Sequence, residues 1–277
     1  MKQILIPTDF SDNAWFATKY ALNIFKDEEC TFYFLHSIKL SVSRASNISS
    51  KLTAVMSESA IKDLKQLQQQ AEQIDTNTKH NFKIIESSHD IEQAIDIAIE
   101  NHQIDLVVMG TKGATGLKEV VFGSNTISVI NKIHRCPVLA VPIMTKITTP
   151  EDIGFPSDFN RSYESKLIDP IKDIAKINSS IVRIMHINTE GELSKQQQQN
   201  LDALTMYLYR SNIKTSYHLM SKYGDKAREI IDFVFDFDID ILTMIRYKHN
   251  LLEKLLHEPV IKKLGHHLEI PFLVIPE

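Results

Sequence analysis

Cysteine is scarce in this chain: only Cys30 and Cys136 occur in 277 residues. Two cysteines exclude a disulfide framework, so a reduced, cytoplasmic setting is expected. A basic excess is also missing. Lys and Arg number 31 against 35 Asp and Glu, a formal net charge of −4. Nucleic acids and anionic membranes favour basic surfaces, and neither is expected as a partner. No stretch approaches the roughly 20 apolar residues needed to cross a bilayer. The apolar run in the opening Met1-Lys2-Gln3-Ile4-Leu5-Ile6-Pro7-Thr8-Asp9 is too short for a signal-peptide core, and Pro7 and Asp9 break it.

What the chain does contain is a repeat. At 277 residues and 43% hydrophobic, it has room for two domains with a core each. The first half opens Ile4-Leu5-Ile6-Pro7-Thr8-Asp9-Phe10-Ser11, and the second Ile153-Gly154-Phe155-Pro156-Ser157-Asp158-Phe159-Asn160. An apolar run then ends in His36 in one half and in His186 in the other. Ile104-Asp105-Leu106-Val107-Val108-Met109 is echoed by Ile239-Asp240-Ile241-Leu242-Thr243-Met244. The halves close on Pro137-Val138-Leu139-Ala140-Val141-Pro142 and Pro271-Phe272-Leu273-Val274-Ile275-Pro276. Four matches in the same order predict two domains, 1–145 and 150–277, with the polar stretch around Met144 to Pro150 between them.

Short, nearly continuous apolar runs suit strands buried on both faces. Between them lie helical patterns. One runs from about Ala14 to Phe25, with Ser11 or Asp12 to cap it; another covers about Ala54 to Ile74, with Leu64, Leu67 and Ala71 on one face. Ile91, Ala94, Ile95, Ala98 and Ile99 form a third stripe, and a fourth helix is expected from Asn125 to Ile133. Strand–helix alternation predicts an α/β fold in each half: an open, mostly parallel sheet with helices on both faces. Such sheets bind ligands beyond the carboxyl ends of their strands, where the strand order switches.

Met109-Gly110-Thr111-Lys112-Gly113, nine further residues, and Gly123-Ser124-Asn125-Thr126 follow a predicted strand and lead into a predicted helix. Glycine lets consecutive N–H groups point into one concavity and leaves room for a phosphate. The helix N-terminus adds free donors and a partial positive charge. The hydroxyls of Ser124 and Thr126 and the charge of Lys112 can contribute further.

This loop resembles that of the universal stress protein family, in the branch that binds ATP: Gly, two residues, Gly, nine residues, Gly, then Ser or Thr. It stands here as Gly110, Gly113, Gly123 and Ser124. The resemblance also covers Pro7-Thr8-Asp9-Phe10-Ser11, His36-Ser37 and Cys136-Pro137-Val138-Leu139-Ala140-Val141-Pro142, and so spans the first half; it is weaker in the second. It implies two Rossmann-like domains of the adenine nucleotide α-hydrolase-like type, each with five strands. It places Pro7, Thr8 and Asp9 near the adenosine, Ser37 beside the adenine, and Met109 and Gly110 against the ribose. Gly113, Gly123, Ser124, Asn125 and Thr126 would hold the phosphates, with Mg or Mn bridging them. Asn125 replaces the small apolar residue expected there, a change that a backbone N–H contact survives. The family dimerises through edges equivalent to 138–141 and 272–275, which implies pairing of the two domains within the chain or a homodimer.

The second half departs further. Ile245-Arg246-Tyr247-Lys248 and Leu256-His257-Glu258-Pro259 stand where the loop should be, and no glycine lies between Gly224 and Gly265. Glu258 would repel phosphate and Pro259 has no N–H to give. One nucleotide per chain is therefore expected. No Gly-Lys-Ser/Thr run clamps a γ-phosphate, and the chain lacks the Ser-Gly-Gly loop of adenylating enzymes. A stress-response regulatory module that binds ATP is the leading expectation; a slow ATPase and a protein-interaction scaffold are the alternatives. His36 and His186 read as structural, the cysteines as packing residues, and His249, His257, His266 and His267 as part of a solvated face rather than a metal site. The Ser-rich segment Lys39–Ser50 reads as a surface loop.

Overall fold

The computed structural model describes residues 1–38, 48–111, 122–188, 192–221, 226–247 and 270–277. They form two compact units that divide between Ile143 and Met144. The first unit runs β1 (Lys2–Pro7), α1 (Asp12–Ile24), β2 (Cys30–Ser37), α2 (Ile48–Ile74), β3 (Asn81–Ser87), α3 (Ile91–His102), β4 (Leu106–Gly110), α4 (Ser124–Lys132) and β5 (Val138–Val141). Its strands lie in the order β3-β2-β1-β4-β5, and each neighbouring pair is parallel. From β1 the chain builds outward through β2 to β3, then returns to place β4 on the other side. The strand order therefore reverses between β1 and β4, which opens a crevice at their carboxyl ends.

The apolar runs are the centre of the sheet. Ile4, Leu5 and Ile6 of β1, Phe32 and Phe34 of β2, and Val107 and Val108 of β4 are all buried. Side chains alternate between the two faces of a strand, so burial of successive residues requires helices on both. Ser11 caps α1, its hydroxyl accepting from the Ala14 N–H at 3.3 Å. Helix α2 begins at Ile48, earlier than the apolar spacing indicates. Among its described side chains, the buried ones, Ala60, Leu64, Leu67 and Ala71, lie from mid-helix onward; periodicity marks where a helix touches a core, not where it starts. Residues 48–50 of the predicted Ser-rich loop are thus helical, and 39–47 lie outside the described residues.

Gly110, the last residue of β4, permits a close approach. A Cβ there would stand 2.8 Å from the Asn13 side chain and 3.0 Å from its backbone carbon. Asn13 is itself buried and donates through Nδ2 to the Val141 carbonyl at 3.1 Å. The glycine lets α1 press onto β4 and join it to β5.

The second unit runs β6 (Asp152–Pro156), α5 (Ser165–Asn178), β7 (Ile181–Asn188), α6 (Lys195–Arg210), β8 (Thr215–Ser221), α7 (Lys226–Asp236), β9 (Ile241–Arg246) and β10 (Phe272–Pro276). Its order, β8-β7-β6-β9-β10, repeats that of the first unit, again with parallel pairs. The Gln-rich stretch opens α6, where Ser194 and Gln197 form a reciprocal capping box. At the amino ends of the strands the repeat extends to single hydrogen bonds. Asp105 Oδ2 accepts from the Gln3 N–H at 2.7 Å, and Asp240 Oδ2 from the Glu151 and Asp152 N–H groups at 2.7 and 3.0 Å. No helix among the described residues is long and apolar enough to cross a membrane.

Candidate functional site

A cleft of about 280 Å³ lies at the carboxyl ends of β1, β2 and β4. Pro7, Thr8 and Asp9 form one wall, Ser37 stands at the end of β2, Met109 and Gly110 close β4, and Gly123, Ser124, Asn125 and Thr126 enter from the start of α4. Parallel strands bring these separated residues together because their carboxyl ends share one side of the sheet. Lys112 and Gly113, the other two residues expected here, lie outside the described residues.

The turn after β1 is built by short side chains. The Thr8 hydroxyl accepts from the Phe10 N–H at 3.0 Å; Asp9 Oδ1 accepts from the Ser11 N–H at 3.1 Å and from the Ser11 hydroxyl at 2.6 Å. Phe10 takes a left-handed φ of 62°, a conformation that costs a non-glycine residue free energy and holds only where surrounding bonds fix it. His36 supplies one such bond, its Nδ1 lying 2.8 Å from the Thr8 carbonyl, with the Phe10 ring 4.6 Å from its own. A carbonyl only accepts, so Nδ1 carries the proton in that contact.

The start of α4 differs from the sequence expectation in one respect. Thr126 is 2% exposed, and its hydroxyl donates to the Gly110 carbonyl at 2.9 Å. The donor expected to face a phosphate instead ties the first turn of α4 to the last carbonyl of β4, and the Gly123 N–H adds a bond to the Thr111 carbonyl at 2.5 Å. Thr126 therefore positions the helix start. Among the described residues, the Ser124 hydroxyl and the Asn125 amide are the exposed side-chain donors at this end of the cleft. Gly123 is the N-cap and makes no side-chain cap bond; its φ of −63° is open to any residue. Backbone conformation therefore does not require glycine at that position.

Sequence reasoning passed over Ala14, His36, Asp90, Ile91 and Glu92 as lining residues. Asp90 had a legible signal: an acid directly before the apolar stripe starting at Ile91, where its carboxylate accepts from the Gln93 N–H at 3.0 Å and caps α3. Glu92 had none, because its partners come from α4. Ser128 donates to its carboxylate, and Lys132 Nζ lies 3.0 Å away. Burial works to raise the Glu92 carboxyl, but hydrogen bonds from Ser128, from its own backbone N–H and from Lys132 outweigh it and hold the group down at about 2. Asp9, Asp90 and Glu92 make the described lining acidic.

The second unit copies the turn and changes what surrounds it. The Ser157 hydroxyl accepts from the Phe159 N–H at 3.0 Å, Asp158 Oδ1 accepts from the Asn160 N–H at 3.0 Å, and His186 Nδ1 lies 2.9 Å from the Ser157 carbonyl. Phe159 has a φ of 53°. Both histidines thus bond backbone, as a structural role requires. Ile245 and Arg246 stand where Gly110 and Thr111 stand in the first unit, and Tyr247 follows them; 248–269, including Glu258, Pro259 and the four clustered histidines, lie outside the described residues. Cys30 and Cys136 are buried; desolvation lifts the Cys30 thiol to about 12 and raises that of Cys136 as well, which leaves neither as a thiolate nucleophile.

Known proteins share both the sequence and the architecture. Universal stress protein MJ0531 of Methanocaldococcus jannaschii is 34% identical over 143 residues, 50% of this chain and 81% of that protein. Universal stress protein MJ0577 of the same organism is 28% identical over 157 residues, 50% of this chain and 94% of that protein. Among solved structures, a universal stress protein from Archaeoglobus fulgidus aligns with a TM-score of 0.71 at 15% identity, covering 99% of this chain and 98% of its own. That alignment shows the same fold over both units. A model of the universal stress protein family matches residues 1–142. On that match and the shared fold, the chain belongs to the universal stress protein family.

Proposed function

We propose that the first unit binds ATP, and that the protein is a regulatory module of the cytoplasmic stress response whose state depends on that nucleotide. One observation carries the reading. The residues expected around adenosine (Pro7, Thr8, Asp9 and Ser37), around ribose (Met109 and Gly110) and around phosphate (Gly123, Ser124, Asn125 and Thr126) line a single cleft at the strand-order switch. Its volume of about 280 Å³ is close to the lower end for small-molecule sites, roughly 300 Å³. Backbone N–H groups at the start of α4 suit phosphate oxygens. Because Asp9, Asp90 and Glu92 line the cleft, a triphosphate enters with less repulsion as a complex with Mg or Mn than as a free anion. ATP then acts as a conformational ligand, favouring whichever state binds it better.

The test is calorimetric titration of Mg-ATP into the full chain, alongside an assay for co-purified nucleotide and a Gly113→Glu, Gly123→Glu double variant. The expected result is one site per chain, lost in the variant. The φ of −63° at Gly123 is open to any residue, and a melting curve of the double variant that matches the parent separates loss of binding from misfolding. Two sites per chain would mean that the second unit also binds. Absence of binding at millimolar ATP would overturn the reading in favour of a protein-interaction scaffold.

A further inference from the structure

The two units differ in the connection that leaves their first strand. Residues 8–11 join β1 to α1, whereas 157–164 join β6 to α5. The longer connection carries Arg161 and Tyr163, and both turn back over the strand ends. The Tyr163 hydroxyl pairs with that of Ser157, the counterpart of the cleft-lining Thr8, and its ring meets the Phe155 ring edge-on at 5.7 Å. The Arg161 guanidinium lies 4.5 Å from the centre of the Tyr247 ring and bonds Glu277 at 2.8 Å. Tyr247 follows β9 and Glu277 follows β10, so one short segment touches the carboxyl ends of three strands. The Tyr247 hydroxyl is buried without a hydrogen-bond partner among the described residues. That is unfavourable in itself and persists only where the packing around it is firmly held. Burial also raises both tyrosines above the usual phenol range, Tyr163 to about 12, so both stay neutral at physiological pH.

We propose that Arg161 and Tyr163 are a built-in occupant of the second unit: they fill the strand-end space that is an open cleft in the first unit and latch β6, β9 and β10 in a closed state. Where this excludes nucleotide from the second unit, it rests on the ATP reading of the first. As a statement about what fills the second unit, it does not. Tyr163 stands beside Ser157 as a ligand would stand beside Thr8, and the cation–π contact and ion pair of Arg161 close the segment down. The two units therefore represent one fold with its cleft open and with its cleft filled from within.

The test uses the full chain with Tyr163→Gly, read by differential scanning calorimetry with and without p-cresol, the side chain of tyrosine as a free molecule. The expected melting point of the variant is lower by about 5 °C or more, as for deletion of a packed aromatic ring. Millimolar p-cresol should restore about half or more of that loss and leave the parent protein unchanged. Mg-ATP stoichiometry should be the same in variant and parent. A variant that melts with the parent, or one that p-cresol does not rescue, overturns the proposal. So does a rise from one to two ATP per chain, which would make the segment a gate over a working site. If neither protein binds ATP, the nucleotide reading fails while the p-cresol result still decides this one. Should Tyr163→Gly not fold, Tyr163→Phe and Arg161→Ala take its place. The first keeps the ring and should melt within about 2 °C of the parent; the second should speed amide exchange at the ends of β9 and β10, and unchanged exchange there overturns the latch.

Discussion

Phe10 and Phe159 occupy matching places in the two units, each at a left-handed turn and against its own histidine, His36 or His186, yet Phe10 is 37% exposed and Phe159 0%. The difference comes from the helix that crosses above. In the second unit α6 reaches down: Gln197 Nε2 donates to the Asp158 carbonyl at 2.9 Å and Asn200 Nδ2 to the Phe159 carbonyl at 2.8 Å, and the Phe159 ring also packs against Tyr217. In the first unit a second cleft, about 560 Å³, separates Phe10 and Trp15 from Gln66 and Gln70 of α2, and it shares Thr8 with the cleft at the strand-order switch. A turn with the same backbone N–H and histidine bonds is thus sealed in one copy and open in the other. The backbone conformation of the turn follows from its own short side chains; its accessibility depends on elements far away in sequence.

Substitutions can break this comparison, and the largest contrast is expected at the two phenylalanines. Phe159→Ala should cost about 3–5 kcal/mol, as for a fully buried ring, while Phe10→Ala should cost about 1 kcal/mol or less; chemical denaturation of both variants checks the asymmetry. Gly110→Val should be the next largest. Its side chain would overlap Asn13, at a cost of about 2–3 kcal/mol, whereas the matched Ile245→Val should cost about 1 kcal/mol because β9 already accommodates a branched side chain there. Thr126→Val removes the hydroxyl that ties α4 to Gly110 and should destabilise by about 1–2 kcal/mol, with Thr126→Ser close to the parent.

A smaller effect sharpens the comparison through pH. Glu92 joins α3 to α4 in the first unit, and its folded carboxyl lies below the usual carboxylate range at about 2. A depressed carboxyl contributes stability that is present above the unfolded value, near 4.3, and lost as pH falls toward 2. The acid limb of a melting-temperature profile should therefore be flatter in Glu92→Gln than in the parent over that window. An unchanged limb would show that the bonds from Ser128 and Lys132 do not couple the two helices. Last comes Arg135→Ala, which removes an exposed 3.3 Å pair with Glu100 and should shift stability by less than about 0.5 kcal/mol.

The repeat, the strand–helix alternation and the places of four strands in each half were legible because each rests on local pattern; the edge strands β3 and β8 carry no continuous apolar run and were not. Runs such as Ile4-Leu5-Ile6 can be buried on successive positions only inside a sheet covered on both faces. The glycine at 110, the turn at 8–11 and the start of α4 were legible for the same reason, since each is a short stretch whose chemistry acts on its own neighbours. Tertiary structure alone decided the rest. Thr126 looked like a ligand donor until the end of β4 came within 2.9 Å of its hydroxyl. Glu92 gained its partners from a helix that starts more than thirty residues later. Tyr163 carries no signal in the sequence, and Tyr247 marks only the missing loop, until the return of β9 beside β6 brings both to one end of the sheet. Composition and spacing determine which backbone forms where; which side chains meet, and so which cleft stays open, depends on contacts that exist only once distant strands have paired.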